Sequence, residues 1–231
     1  MTRDLDRPRS AAPASSEAEL EAFLSAAERA PAAGRGRLVF ALDATLSRQP
    51  SWDLACQLQA DMFDAAAEAG GLSVQLVYFR GQGECRASRW MDDAARLKAV
   101  MSRIHCRGGL TQIGKVLAQT RAEAERAPLA ALVYVGDCME ENVDRLCAAA
   151  GELGLLGVRA FLFQEGRDPA AAAAFDEIAR LTRGVRLPFD HRAAGELRAL
   201  LSAVAAWAAG GTRALEARGD AASRRLLADL R

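Results

Sequence analysis

The chain has 231 residues, 51% of them hydrophobic, and its 30 Lys and Arg are matched by 30 Asp and Glu. That size and apolar content suit one α/β domain with a sizeable core and short appendages, and the zero net charge sets up no field that would draw nucleic acid or an anionic membrane surface. The five cysteines, Cys56, Cys85, Cys106, Cys138 and Cys147, are odd in number and form no CxxC pair. They suggest neither a disulfide framework nor a zinc ribbon, and together with the lack of a signal-like or membrane-spanning apolar run they lead us to expect a cytoplasmic protein.

In chain order, residues 1–15 are polar, contain proline and lack periodicity, as in a flexible leader. Ser16 and Glu19 match a capping box, and Leu20, Phe23 and Leu24 follow at helical spacing, which predicts a helix over 17–30 within an N-terminal segment of 16–33. Apolar runs at 38–42, 72–79, 131–135 and 158–163 are mostly continuous rather than alternating, the pattern of strands buried on both faces of a largely parallel sheet. Helices are predicted between them at 51–69, 92–103, 112–126, 141–152 and 170–182. The last of these opens with Asp168 as N-cap and Pro169 at the first helical position and stops at Gly184.

Arg86–Trp90, just after Gly81 and Gly83, is placed antiparallel to the 72–79 strand at a sheet edge. Residues 185–189 read as a short final strand and 193–209 as a closing helix. The tail, 209–231, scatters Leu215, Leu226, Leu227 and Leu230 among charges, a pattern compatible with packing back, fraying or docking to a partner. Alternating strands and helices predict an α/β, Rossmann-like fold. Its sheet is mostly parallel, with one antiparallel edge strand and helices on both faces.

Ligands reach such sheets beyond the carboxyl ends of the strands. There the chain places Asp43, Thr45 and Ser47 after the first run, Thr111 after Gly108 and Gly109, and Asp137 after the 131–135 run. If residues 43–47 stay extended, alternation points Asp43, Thr45 and Ser47 the same way. Oxygen-only donors select hard cations, and Mg²⁺ takes six oxygens at about 2.0–2.1 Å while keeping some as water. Two carboxylates acting through water and three neutral hydroxyls coordinating directly would leave the ion electrophilic and open to an incoming Asp or Glu.

At these residues the sequence resembles the von Willebrand factor type A (VWA) family. Its metal ion-dependent adhesion site (MIDAS) reads D-x-S-x-S, then a Thr, then an Asp in separate loops. Asp43-x-Thr45-x-Ser47, Thr111 and Asp137 follow that order, with Thr45 standing where the family has Ser. Gly108 to Gly114 is similar to the family's Thr loop leading into a helix, and Phe175 to Phe189 to its closing helix, turn and strand, so the resemblance spans about 35–208. It implies a non-catalytic, metal-dependent docking module that holds Mg²⁺, with Mn²⁺ or Ca²⁺ as substitutes, and binds a protein presenting an acidic side chain.

The competing reading is a haloacid dehalogenase-like, Mg²⁺-dependent phosphatase with Asp43 as nucleophile, since Thr111, Lys115 and Asp137 follow that class's order. Thr45 stands where that class has a general acid, and a threonine hydroxyl cannot protonate a leaving group near neutral pH. Simple helix capping is the bland alternative for Thr45, Ser47, Thr111 and Asp137. Glu140, Glu141 and Asp144 read as the solvated start of a helix. His105 and His191 have no companions for a metal or catalytic site, and Cys138 is the one cysteine placed beside the proposed metal.

Overall fold

The computed structural model describes residues 35–45, 49–189 and 194–230. The predicted helix over 17–30, Ser47 and His191 lie outside them. The described chain runs β1 (Gly36–Asp43), α1 (Gln49–Ala67), β2 (Leu72–Arg80), β3 (Glu84–Met91), α2 (Ala94–Met101), α3 (Ile113–Arg126) and β4 (Ala131–Gly136). It continues with α4 (Val143–Leu155), β5 (Arg159–Glu165), α5 (Pro169–Leu181), β6 (Val185–Phe189), α6 (Ala194–Arg218) and α7 (Ala221–Asp229).

The six strands form one sheet in the order β3-β2-β1-β4-β5-β6. All neighbours are parallel except β2 and β3, whose antiparallel ladder slips in register between Gln75 and Val77. At that bulge the Ser88 hydroxyl accepts the Leu76 N–H at 3.0 Å, replacing a ladder bond. The expected mostly parallel sheet with one antiparallel edge strand is the one observed.

The continuous apolar runs conceal a period of two. On β1, Leu38, Phe40 and Leu42 face one core with Trp52, Leu58 and Met62 of α1 and Leu201 and Val204 of α6. Val39 and Ala41 face the other, with Val116 and Leu117 of α3, Leu146 of α4 and Phe175 of α5. Helices on both faces therefore call for apolar side chains at successive positions along the middle of the central strands.

The edge strand is tied to the sheet by polar contacts. Glu123 of α3, almost fully buried, accepts from Trp90 Nε1 at 3.0 Å, Arg37 at 3.2 Å and Arg126 at 2.7 Å. The Arg37 guanidinium also lies 4.0 Å over the Trp90 ring. Burial pushes the Glu123 carboxyl up, but these hydrogen bonds and the two arginines outweigh it, and the net shift is downward.

The closing helix breaks where the sequence places its end, at the glycine pair, where Gly211 takes a non-helical φ of 65°; a second helical segment follows to Arg218, and then α7. Leu215 and Leu226 are buried in the α1–α6 core, so the tail packs back on the domain. Gly184 closes the end of α5 as expected, its N–H donating to Ala179 O at 2.8 Å, while Arg183 takes the positive φ of 52°. Gly184 is needed for close approach, since a Cβ there would stand 1.9 Å from the Ala160 carbonyl oxygen. Asp168 caps α5 as expected, accepting from Ala171 N–H at 2.6 Å, with Pro169 at the first helical position.

Candidate functional site

The chain leaves β1 toward β2 and β4 toward β5, so the crevice beyond their carboxyl ends is the sheet's topological switch point. Asp43 ends β1 and Thr45 follows in a bend, and both are buried. The Thr45 N–H donates to Asp43 Oδ1 at 2.7 Å, a side-chain turn that holds the carboxylate against its own backbone. Ala44 between them is clamped on two sides, donating to Phe79 O at 2.9 Å and accepting from Arg107 N–H at 2.9 Å.

The 102–112 segment then brings in Thr111. A Cβ on Gly109 would lie 2.2 Å from Gly81 N and 2.4 Å from Gly81 O, so only glycine allows the two loops to touch there. Leu110 N–H donates to Gly81 O at 3.2 Å. Thr111 is fastened from the far side by a reciprocal pair. Its N–H donates to Glu140 Oε2 at 3.0 Å, and its Oγ1 accepts from Glu140 N–H at 3.1 Å.

Glu140 and Glu141 thus depart from expectation. Both precede α4, whose N-cap is Asn142, accepting from Arg145 N–H at 3.0 Å. Glu141 instead accepts the N–H groups of Ile113 and, at 2.9 Å, of Gly114, placing its charge at the positive end of α3. Gln112, the N-cap residue of α3, makes no side-chain cap bond, so the cap comes from a different loop. Neither Thr111 nor Asp137 is the N-cap residue of α3 or α4, which removes the bland reading of these two.

The result is a cleft of about 190 Å³ lined by Asp43, Thr45, Thr111, Cys138 and Glu140 with the Gly108–Gly109 backbone. Asp43, Thr45 and Thr111 are thereby brought together. Asp137 follows β4 beside the cleft and is not among its lining residues. Glu140 and Cys138 also line the cleft. From the sequence, Cys138 is expected beside the proposed metal but not as a ligand, and Glu140 as part of a solvated helix start. Burial, then the negative charge of Asp137, pushes the Cys138 thiol up to about 12. Among the described residues no group of three or more His, Cys, Asp or Glu is arranged to hold a metal ion. A cation here would need the hydroxyls as well as the carboxylates.

Below the cleft lies Tyr134 of β4. Its fully buried ring stacks on Phe79 with centroids 6.2 Å apart and meets Phe175 edge-on at 5.4 Å. Burial first, then the charge of Asp43, hold its phenol well above the usual range, so the hydroxyl keeps its proton.

Beside the 102–112 segment stands the β2–β3 hairpin, bonded to it through Leu110 N–H and Gly81 O. Lys115 donates to Gly83 O at 2.8 Å and Gln112 Oε1 at 2.9 Å, and Gln112 Nε2 reaches Arg80 O and Glu84 O at 3.3 Å each. Lys115 is therefore spent on the hairpin, away from the cleft. His105 is exposed, and its carbonyl accepts from Arg80. Glu84 pairs with Arg80 at 3.0 Å and accepts from Tyr78 at 3.1 Å. The Arg80 hydrogen bond leads in lowering its carboxyl from 4.5 to about 2. A depressed carboxylate contributes stability that is complete above its unfolded value and lost as pH falls through the folded one. Acid unfolding curves of wild type and Glu84→Gln should therefore differ above pH 4.5 and converge between pH 4.5 and about 2. A constant offset down to pH 2 would rule out this coupling.

No family model matches the chain, and no curated protein does either. Solved structures do. A von Willebrand factor type A protein from Catenulispora acidiphila superposes with a TM-score of 0.59 at 20% identity, over 77% of this chain and 43% of its own. The SpRpn10 VWA domain gives 0.55 at 11% identity, over 68% of this chain and 88% of its own. Proximal thread matrix protein 1 from the mussel byssus, with a zinc-occupied MIDAS motif, gives 0.59 at 16% identity, over 75% and 46%. The chain spans less than half the length of the first and third. Sheet order, the antiparallel edge strand and these superpositions agree that this chain has the von Willebrand factor type A fold.

Proposed function

We propose that the cleft is a MIDAS-type site through which this chain, without catalysis, docks a protein partner in a metal-dependent way. The observation that carries the reading is the convergence of Asp43, Thr45 and Thr111 from two separate loops on one cleft at the switch point of the sheet. The donor chemistry fits a hard divalent cation, since Asp43, Thr45, Thr111 and Glu140 line the cleft with carboxylate and hydroxyl oxygens.

In this reading Thr45, Ser47 and Thr111 hold Mg²⁺ directly, and Asp43 and Asp137 hold it through water. The ion supplies electrophilicity toward an Asp or Glu of the partner. Mn²⁺ or Ca²⁺ would occupy the same donors. The zinc-occupied motif of the mussel protein supports metal use on this fold. Among the described residues no helix is long and apolar enough to cross a membrane, and we place the protein in the cytoplasm. The phosphatase reading loses its lysine, because Lys115 serves the hairpin.

The test is calorimetric titration of Mg²⁺ and Mn²⁺ into EDTA-treated wild type and Asp43→Ala, with a phosphatase assay on the same samples. We expect wild type to bind and the variant to bind about 10–100-fold more weakly, with unchanged circular dichroism and no phosphate release. Equal affinities would refute the site, and Asp43-dependent turnover would transfer it to the phosphatase class.

A further inference from the structure

Tyr134 carries a hydroxyl that the described fold does not use. The oxygen is buried and has no hydrogen-bond partner among the described residues, whereas buried hydroxyls are nearly always paired and a stranded one costs stability. Phenylalanine would fill the same space between Phe79 and Phe175 without that cost. The neighbouring backbone leaves room for the end of the ring that carries the oxygen. Two residues on along β4 is Gly136, where a Cβ would stand 2.7 Å from the Tyr134 hydroxyl and 2.8 Å from ring Cε1, so glycine lets the phenol reach the strand end.

The register shows what lies there. Ala41 of β1 is paired with Tyr134 and Leu42 with Val135, so Asp43 comes level with Gly136. Ala41 and Tyr134 both face the α3–α5 core. By alternation Asp43 projects from that same face of the sheet, one strand across from the position the phenol reaches.

We propose that Tyr134 is a positioning residue of the cleft: in the cation-loaded protein its O–H donates to the Asp43 carboxylate, directly or through one ordered water, and fixes its orientation toward the ion. This inference rests on the metal-docking reading above. Groups that hydrogen-bond a metal-holding carboxylate set its orientation, and their removal lowers affinity without touching the ion.

The experiment uses the full chain and Mn²⁺ as the probe, with calorimetric affinity and thermal melting in EDTA measured for wild type and Tyr134→Phe. We expect the metal-free Tm of the variant to equal or exceed that of wild type, because an unpaired buried hydroxyl has been removed, while Mn²⁺ affinity falls about tenfold. Wild-type affinity in the variant, or a lowered metal-free Tm, overturns the proposal, the second because it would reveal a purely structural partner for the hydroxyl. A wild type that takes up no Mn²⁺ overturns the docking reading itself and this inference with it. The two failures are distinguishable, since only the latter is seen in wild type.

Discussion

Gly109→Ala is expected to lower Mn²⁺ affinity by about two orders of magnitude and to cost about 1–3 kcal/mol of stability. The added methyl would fall 2.2 Å from Gly81 N and 2.6 Å from Gly81 Cα, and neither is the end of a side chain that could swing aside. The 102–112 segment must then lift off the β2–β3 hairpin, breaking the Leu110 N–H to Gly81 O bond and shifting Thr111 away from Asp43 and Thr45. Gly151→Ala, inside α4 with nothing within 4 Å of the added carbon, is the matched control. It should stabilise by about 0.5–1 kcal/mol, because alanine loses less backbone entropy in a helix. Urea denaturation and titration calorimetry on the pair separate loop displacement from any general effect of replacing glycine. Gly109→Ala with wild-type affinity would mean that the seat of Thr111 does not depend on this contact.

Phe161→Ala is expected to cost about 3–5 kcal/mol, the largest stability loss we predict. Phe161 is fully buried near the start of β5, paired with Val133 on β4 and Val185 on β6, and its ring meets Trp207 of α6 edge-on with centroids 5.2 Å apart. Removing it opens a cavity where α6 rests on the sheet, and strands held on both sides cannot collapse to fill it. Chemical denaturation followed by tryptophan fluorescence should show a lower midpoint with an unchanged slope. A loss under about 1 kcal/mol would mean that α6 repacks freely and is not seated by this ring.

The central strands were legible because burial on both faces imposes a local requirement: β1, β4 and β5 need an unbroken apolar run, and 38–42, 131–135 and 158–163 supply one. The antiparallel edge strand was legible from Gly81 and Gly83, both at positive φ, which read as a hairpin turn. The tail was not. Leu215 and Leu226 lie beyond the break at Gly211 and reveal their purpose only where the core they enter is in view.

Asp43 and Thr45 could be singled out because strand ends are where open α/β sheets present ligand-binding groups, and Thr111 because it follows the Gly108–Gly109 pair ahead of a helix. Glu140 and Glu141 could not, because a carboxylate ahead of a helix reads as serving that helix. Glu141 serves the N-terminus of α3, across the crevice, and Glu140 locks Thr111. Gly109, Gly136 and Gly184 likewise owe their identity to what presses on them: Gly81, the Tyr134 hydroxyl and Ala160.

The amino-acid order alone determined which segments are strands and helices, and which short oxygen-bearing side chains stand at the strand ends, because hydrophobic period and turn chemistry act over a few residues. Only the tertiary structure decided which loops close over Asp43, which helix Glu141 caps and where the Tyr134 hydroxyl comes to lie. Those depend on contacts between residues distant along the chain, whose pairing is set by the sheet order.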